Sequence, residues 1–179
     1  MKKIIVAFFA LGAAGIFVLA GLGLSETGKS NEKDFLRLHV RANSNSTVDQ
    51  DVKYLVKQEI VNELTPIFVG VTSRVMAMEV LEENMPRIEA IANGVLVNNG
   101  LTYTAKVAIK TETFPTRTYN NVTLPDGIYD ALIINLGEGK GDNWWCVVYP
   151  PLCFLENNIG GSEGVKYRSK LLDIIKRTK

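Results

Sequence analysis

Histidine, cysteine and net charge are all in short supply in this chain, and each shortage closes a route. There is one histidine, His39, among 179 residues, and there are two cysteines, Cys146 and Cys153. One imidazole and two thiols at this spacing match no zinc-ligand pattern, so no metal is expected, and no other cofactor. HExxH does not occur. Repeats and low-complexity tracts are absent too. Without its first 24 residues the chain has 18 basic and 19 acidic residues, since only Lys2 and Lys3 are removed from totals of 20 and 19. A balance of −1 argues against nucleic acid, which needs a basic stripe to release counterions. It argues equally against electrostatic adhesion to anionic lipid.

Long apolar runs are scarce as well, with one exception. Met1-Lys2-Lys3 is followed by an uncharged run from Ile4 to Leu24. Lysines before an apolar run mark an export segment whose start stays on the cytoplasmic side. The run exceeds the usual signal core of about 7–15 residues and just reaches the roughly 20 that span a bilayer. Val18-Leu19-Ala20 offers a small-residue cleavage site, and Gly21 and Gly23 weaken a permanent helix, so the balance tilts from anchor towards cleaved signal peptide. No cysteine near its end indicates a lipid anchor. The expected organisation is residues 1–24 as signal peptide or membrane anchor, 25–34 as linker and 35–179 as a single domain outside the cytoplasm.

Within that domain the apolar period changes twice. Phe35–Ala42 alternates, with Leu36, Leu38, Val40 and Ala42 on one face and Arg37, His39 and Arg41 on the other, which predicts a strand with one buried face. After the Asn43–Ser46 turn, Ser46 and Asp49 resemble a capping box. Val48, Val52, Val56, Ile60 and Leu64 then mark a helix that Thr65-Pro66 is expected to stop. A second helical stretch, Thr72–Asn98, is expected to break or kink at Asn84-Met85-Pro86. From Leu101 the period becomes two, with strands through Tyr103–Lys110, Ile128–Leu136 and Trp144–Tyr149 separated by turns at Pro125-Asp126-Gly127 and Gly137–Asn143. A last amphipathic helix covers about Gly164–Lys176. The order predicts an α+β fold: a mostly antiparallel sheet of about four strands with helices packed on one face. The acidic pairs Asp49/Asp51 and Glu82/Glu83 read as solvated helix faces.

Gly141–Phe154 concentrates what is rare: both tryptophans, both cysteines and two of the six prolines. Pro150-Pro151 removes two backbone donors, so the strand must end there and the chain turn. The cysteines straddle that turn, and a reversal can bring them within bridging range. In an exported protein this invites a Cys146–Cys153 disulfide, while two buried thiols remain open because the pleat can point them apart. Trp145-Cys146-Val147 is too apolar to lower a thiol pKa, and nothing places His39 beside Cys146, so a Cys–His nucleophile is not expected. Gly137-Glu138-Gly139-Lys140-Gly141 lacks the Ser/Thr and the helix of a phosphate loop. It reads instead as a glycine-rich turn presenting Glu138, Lys140 and Asp142 at a sheet edge. Alternation puts Trp144 and Trp145 on opposite faces, so at most one belongs naturally in the core. The other needs cover from the Gly-rich loop or the last helix, or a partner.

The run Asn143-Trp144-Trp145-Cys146-Val147-Val148-Tyr149-Pro150-Pro151-Leu152-Cys153 resembles the signature of the stage II sporulation protein R family. Leu36–Ser44 is similar to that family's first strand. Leu124–Leu132 followed by Gly137–Gly141 is similar to its approach to the double tryptophan. Arg41 departs from the pattern, where an aliphatic residue is expected, as does Asp126, where a small one is commoner. The resemblance spans roughly Phe35 to Phe154. It implies a non-enzymatic signalling protein, exported across the forespore membrane into the intermembrane space. There it would activate, by contact, the membrane-embedded aspartic protease of the stage II sporulation protein GA type, which processes pro-sigma-E. The expected contact residues are Glu138, Lys140, Asp142, Asn143, Trp144 and Trp145. Two other readings stay open: a cell-envelope hydrolase built around Cys146, His39 and Glu138, and a wall-binding module using an exposed aromatic.

Overall fold

The computed structural model describes residues 32–119 and 122–154. The export segment, most of the linker and the last amphipathic helix expected over residues 164–176 lie outside them. The described elements are β1 (Leu36–Arg41), α1 (Thr47–Phe68), α2 (Arg74–Asn98), β2 (Ala105–Phe114), β3 (Arg117–Tyr119), β4 (Val122–Leu124), β5 (Gly127–Leu136) and β6 (Asn143–Tyr149), with short 3-10 turns at Glu32–Asp34 and Leu152–Phe154. Among the described residues no helix is long and apolar enough to cross a membrane.

Four strands form one sheet in the order β2-β5-β1-β6, while β3 and β4 pair separately. β1 runs parallel to β5 and antiparallel to β6, and β2 runs antiparallel to β5. The single parallel pair follows from the path. The chain leaves β1 through both helices, lays β2 at the far edge, and returns through β5 between β2 and β1. The α+β architecture with a mainly antiparallel sheet is therefore as expected.

Both helices cover one face of that sheet. Leu36, Leu38 and Val40 of β1 and Leu132, Ile134 and Leu136 of β5 meet Val56, Ile60, Leu64, Leu81 and Ile88 in one fully buried cluster. The Ser46 cap forms as read, its Oγ accepting from the backbone N–H of Asp49 at 3.2 Å. The two proline stops do not hold. α1 continues past Pro66 to Phe68, and α2 runs unbroken through Pro86 from an N-cap at Ser73. In α1 the Thr65 hydroxyl donates to the Val61 carbonyl at 2.6 Å. In α2 one buried stripe, Ala77, Leu81, Ile88, Ala92 and Leu96, bridges the proline. Packing along that stripe outweighs the missing hydrogen bond. Two helices therefore lie between β1 and β2, and the break expected at Asn84-Met85-Pro86 does not occur.

A second correction matters more. The face of β1 read as solvent-facing is also covered: Arg37 is 0% exposed and His39 5%. Phe35, Phe114, Leu124, Tyr129, Ala131, Ile133, Val147 and Leu152 form a second apolar cluster there. The outer end of the β2–β5 ribbon curls over this face, carrying Phe114 to within 5.7 Å of the His39 ring. The β3–β4 hairpin, which the sequence reading left unassigned, closes the same region.

Candidate functional site

On the second face β1 presents Arg37, His39 and Arg41 at alternate positions, a spacing that a strand turns into one row. His39 sits between Phe114 and Trp145, whose ring centroid is 5.6 Å away. Its Nδ1 faces Glu112 Oε2 at 3.2 Å, and Arg41 Nε donates to its Nε2 at 3.4 Å. A donor on one side and a carboxylate on the other assign the neutral ring its proton at Nδ1. Arg41 Nη2 also donates to both Glu112 oxygens, at 2.7 and 2.6 Å. Burial lowers the His39 pKa and the Arg41 charge adds to this, while hydrogen bonds with Asn143 and Glu112 and the Glu112 charge pull the other way. Arg37 lies deeper, its guanidinium carbon 4.4 Å from the Phe114 ring centre and 4.9 Å from that of Tyr129. Its Nη2 donates to Tyr119 Oη at 3.0 Å, but Nε and Nη1 are buried without a hydrogen-bond partner among the described residues.

The Gly-rich loop lies at one end of this face and is clamped onto the turn after β1. Asn43 Oδ1 accepts from the Glu138 N–H at 2.9 Å, the Ala42 carbonyl from Gly141 at 2.9 Å, and Asn45 Oδ1 from Asp142 at 2.6 Å. Gly137 has φ +56°, and a Cβ there would run into Asn43 Oδ1; at Gly141 it would run into the Ser44 carbonyl. Glycine is needed at both for the two segments to approach. Asp49 holds the turn from behind. Contrary to its reading as a solvated helix residue, it is 6% exposed. It accepts from Asn43 Nδ2 at 3.0 Å, Ser44 Oγ at 2.5 Å and the Tyr103 hydroxyl. Burial pushes its pKa up, but these donors and Ser46 outweigh that and hold it low.

The residues expected at the contact site divide among three settings. Glu138 and Lys140 are exposed and pair with each other at 2.8 Å. Asp142 and Asn143 are exposed, and the Asp142 carbonyl accepts from buried Lys53 at 3.1 Å. Trp144 and Trp145 point to opposite faces as the alternation predicts, yet both are half-buried. Lys57 Nζ lies 5.1 Å from the Trp144 ring centre on the helix side, and Arg117 covers Trp145 at 4.3 Å on the other. Neither tryptophan forms part of the fully buried core.

Cys146 and Cys153 are joined in a disulfide, their Cα atoms 5.6 Å apart across the Pro150-Pro151 turn. This resolves the two readings of the pair. Cys146 pairs with Leu38 in the ladder and faces the helices, whereas His39 pairs with Trp145 on the opposite face. Glu138 is engaged with Lys140 in the loop. The Cys146, His39 and Glu138 of the hydrolase reading are therefore not brought together. Among the described residues no group of three His, Cys, Asp or Glu side chains could hold a metal ion.

Comparison with known proteins agrees with the resemblance carried by the double-tryptophan block. A family model described as stage II sporulation protein R matches residues 32–159. The stage II sporulation protein R of Bacillus subtilis (strain 168) is 37% identical over 155 residues, which cover 83% of this chain and 68% of that protein. The chain belongs to the stage II sporulation protein R family. No solved structure matches it. Within the matched span of this family member, the sequence reading missed Glu112, Phe114, Arg117 and Tyr119. Each covers β1 or β6 from a distant part of the chain. The available signal was two short alternating runs, Arg117-Thr118-Tyr119 and Val122-Thr123-Leu124, either side of Asn120-Asn121, a hairpin pattern too brief to stand out.

Proposed function

We propose that this sporulation protein is exported from the forespore and activates, by direct contact, a membrane-embedded aspartic protease of the stage II sporulation protein GA type, which then processes pro-sigma-E in the mother cell. On this reading the chain acts as a signal and not as an enzyme, and its membership of the stage II sporulation protein R family supports a role in sporulation. Export is supported by the lysine-led apolar run Ile4–Leu24. The observation that carries the contact reading is the strand Asn143–Tyr149, which places two half-buried tryptophans, each under a cation, at the edge of the sheet. Tryptophan with a polar surround is the usual composition of an interface anchor. The exposed loop tips Glu138, Lys140 and Asp142, with Asn143, provide that surround.

The test is co-expression of the full chain with the candidate protease and pro-sigma-E in a non-sporulating host. Processing should appear only when all three are present. Processing without this chain, or none with it, ends the proposal. A passive wall-binding module would produce no processing in such a host.

A further inference from the structure

Charge is segregated across the sheet in a way that the overall balance conceals. The two helices carry eight acidic and four basic residues. The strand positions of the second face and of its hairpin carry Arg37, Arg41, Lys106, Lys110 and Arg117 against one acid, Glu112, which Arg41 already neutralises; Asp126 lies in the turn after the hairpin, and Glu138 and Asp142 in the loop at the end of the face. Lys106, Lys110 and Arg117 are exposed, and the Arg41 side chain is 30% exposed. Among the described residues, three of the four buried side-chain polar atoms that lack a hydrogen-bond partner are also here: Nε and Nη1 of Arg37 and Oδ1 of Asn135.

The ladder registers align these groups. Lys106 pairs with Asn135, Asn135 with Arg41, and Arg41 with Asn143, giving one polar row across all four strands. The next row, Ala108, Ile133, His39 and Trp145, is apolar and aromatic, with Arg117 over its tryptophan. Four strands at about 4.8 Å spacing make a row of roughly 14 Å, the reach of four or five extended residues. Cations and amides along one line, with a half-buried tryptophan beside it, suit carboxylates carried on an extended backbone.

We propose that this second face, along Lys106–Asn135–Arg41–Asn143 with Trp145 and Arg117 at its end, receives an acidic extended segment of the partner protein. This rests on the reading that the chain signals by protein contact, and it names the side of the molecule that makes the contact. The Arg37 guanidinium beneath the face, which has no carboxylate partner among the described residues, strengthens its positive potential, because a charge in a dry interior is weakly screened.

Two measurements test it. Fluorescein-labelled hexaglutamate is titrated into the detergent-solubilised full chain. It should bind, weaken with added salt, and bind at least tenfold more weakly to Lys106→Glu/Lys110→Glu. In the reconstituted host the same double variant should lose at least tenfold in processing at unchanged protein level, while Arg87→Glu on the helix side processes normally. No hexaglutamate binding by the unmodified chain, or equal binding by the double variant, overturns the inference. So does normal processing by the double variant, or an equal loss with Arg87→Glu. Salt-sensitive binding to phosphatidylglycerol vesicles that matches hexaglutamate and is abolished by the same substitutions also overturns it, by assigning the face to lipid. Failure of the unmodified chain to trigger processing, with hexaglutamate binding intact, overturns the proposed function and leaves the acidic-ligand assignment standing.

Discussion

The two faces of the sheet are both buried, but by different means. On the helix face Leu36, Leu38 and Val40 meet aliphatic side chains from α1 and α2, and burial there is ordinary apolar packing. On the second face the same strand presents Arg37 and His39, and aromatic rings, a curled ribbon and a two-stranded hairpin cover them. Burial on the first face drives folding, at roughly 25 cal/mol per Å² of apolar area. Burial on the second removes a guanidinium from water with one hydrogen bond among the described residues and the faces of Phe114 and Tyr129 to compensate, a balance that opposes folding. A fold that keeps such a face is not built for stability alone.

Adjacent positions on β1 give the largest expected contrast. Leu38→Ala should destabilise the protein by about 2–5 kcal/mol, the usual range for a fully buried leucine. Arg37→Met, one residue away and equally buried, should leave stability unchanged or raise it, because it removes an unpaired buried charge while keeping the packing. Denaturant unfolding of both variants measures this. A loss at Arg37→Met as large as at Leu38→Ala would show that the cage of Phe114 and Tyr129 holds the guanidinium favourably, and the contrast between faces would collapse.

The disulfide gives the next effect. Cys146→Ser, Cys153→Ser and the double variant should each lose about 2–3 kcal/mol, the chain-entropy expectation for a short loop. The double loss should equal either single one, since one shared bond is removed in each case. Free, fully alkylatable thiols in the folded exported protein would remove the premise.

His39 gives a smaller effect that only the second face can produce. Burial, the largest influence, holds its pKa below 6.5. Between 6.5 and that lower value the unfolded chain binds a proton that the folded site does not. Stability is therefore complete above about pH 6.5 and falls as the pH drops through the folded value. The groups facing the ring are Arg41, Glu112 and Asn143, with Phe114 and Trp145 packed against it. Unfolding curves from pH 7 to pH 5 should show this slope, and His39→Gln should abolish it. An unchanged slope in the variant would assign the pH dependence to another group.

The helix face was legible because periodicity reports it directly: Leu36, Leu38 and Val40 at steps of two, then Val52, Val56, Ile60 and Leu64 at steps of four. The Ser46 cap and the opposed tryptophans were legible for the same reason, since both are local. The second face was not, because polar character at Arg37 and His39 does not mark exposure. The rule that apolar residues go inside does not run in reverse. Nothing near Arg37 in sequence announces Phe114, Tyr119 or Tyr129, and Glu112 lies 73 residues from the His39 it pairs with. Pro66 and Pro86 misled for a related reason. A local penalty was visible, and the tertiary packing that overrides it was not. The loop was half legible. Its glycines and exposed charges were read correctly, but its docking onto Asn43 and Asn45 joins segments 95 residues apart.

That docking sharpens the last comparison, between what the loop does for folding and what it does for signalling. Its backbone is held by Asn43, Ala42 and Asn45; of its charged side chains, Lys140 pairs with Glu138 and both are exposed, while the exposed Asp142 charge also favours the protonated form of buried Lys53. Lys140→Ala with Asp142→Ala leaves the backbone clamp untouched, and exposed charges contribute little to stability. The double variant should therefore keep its circular dichroism and its melting temperature. If the loop rims the contact site, processing in the reconstituted host should fall, and by less than with Lys106→Glu/Lys110→Glu, because alanine removes charge without reversing it. An unchanged melting temperature with normal processing would make the loop a structural clamp alone and confine recognition to the second face. A lowered melting temperature would instead show that the side chains support the clamp.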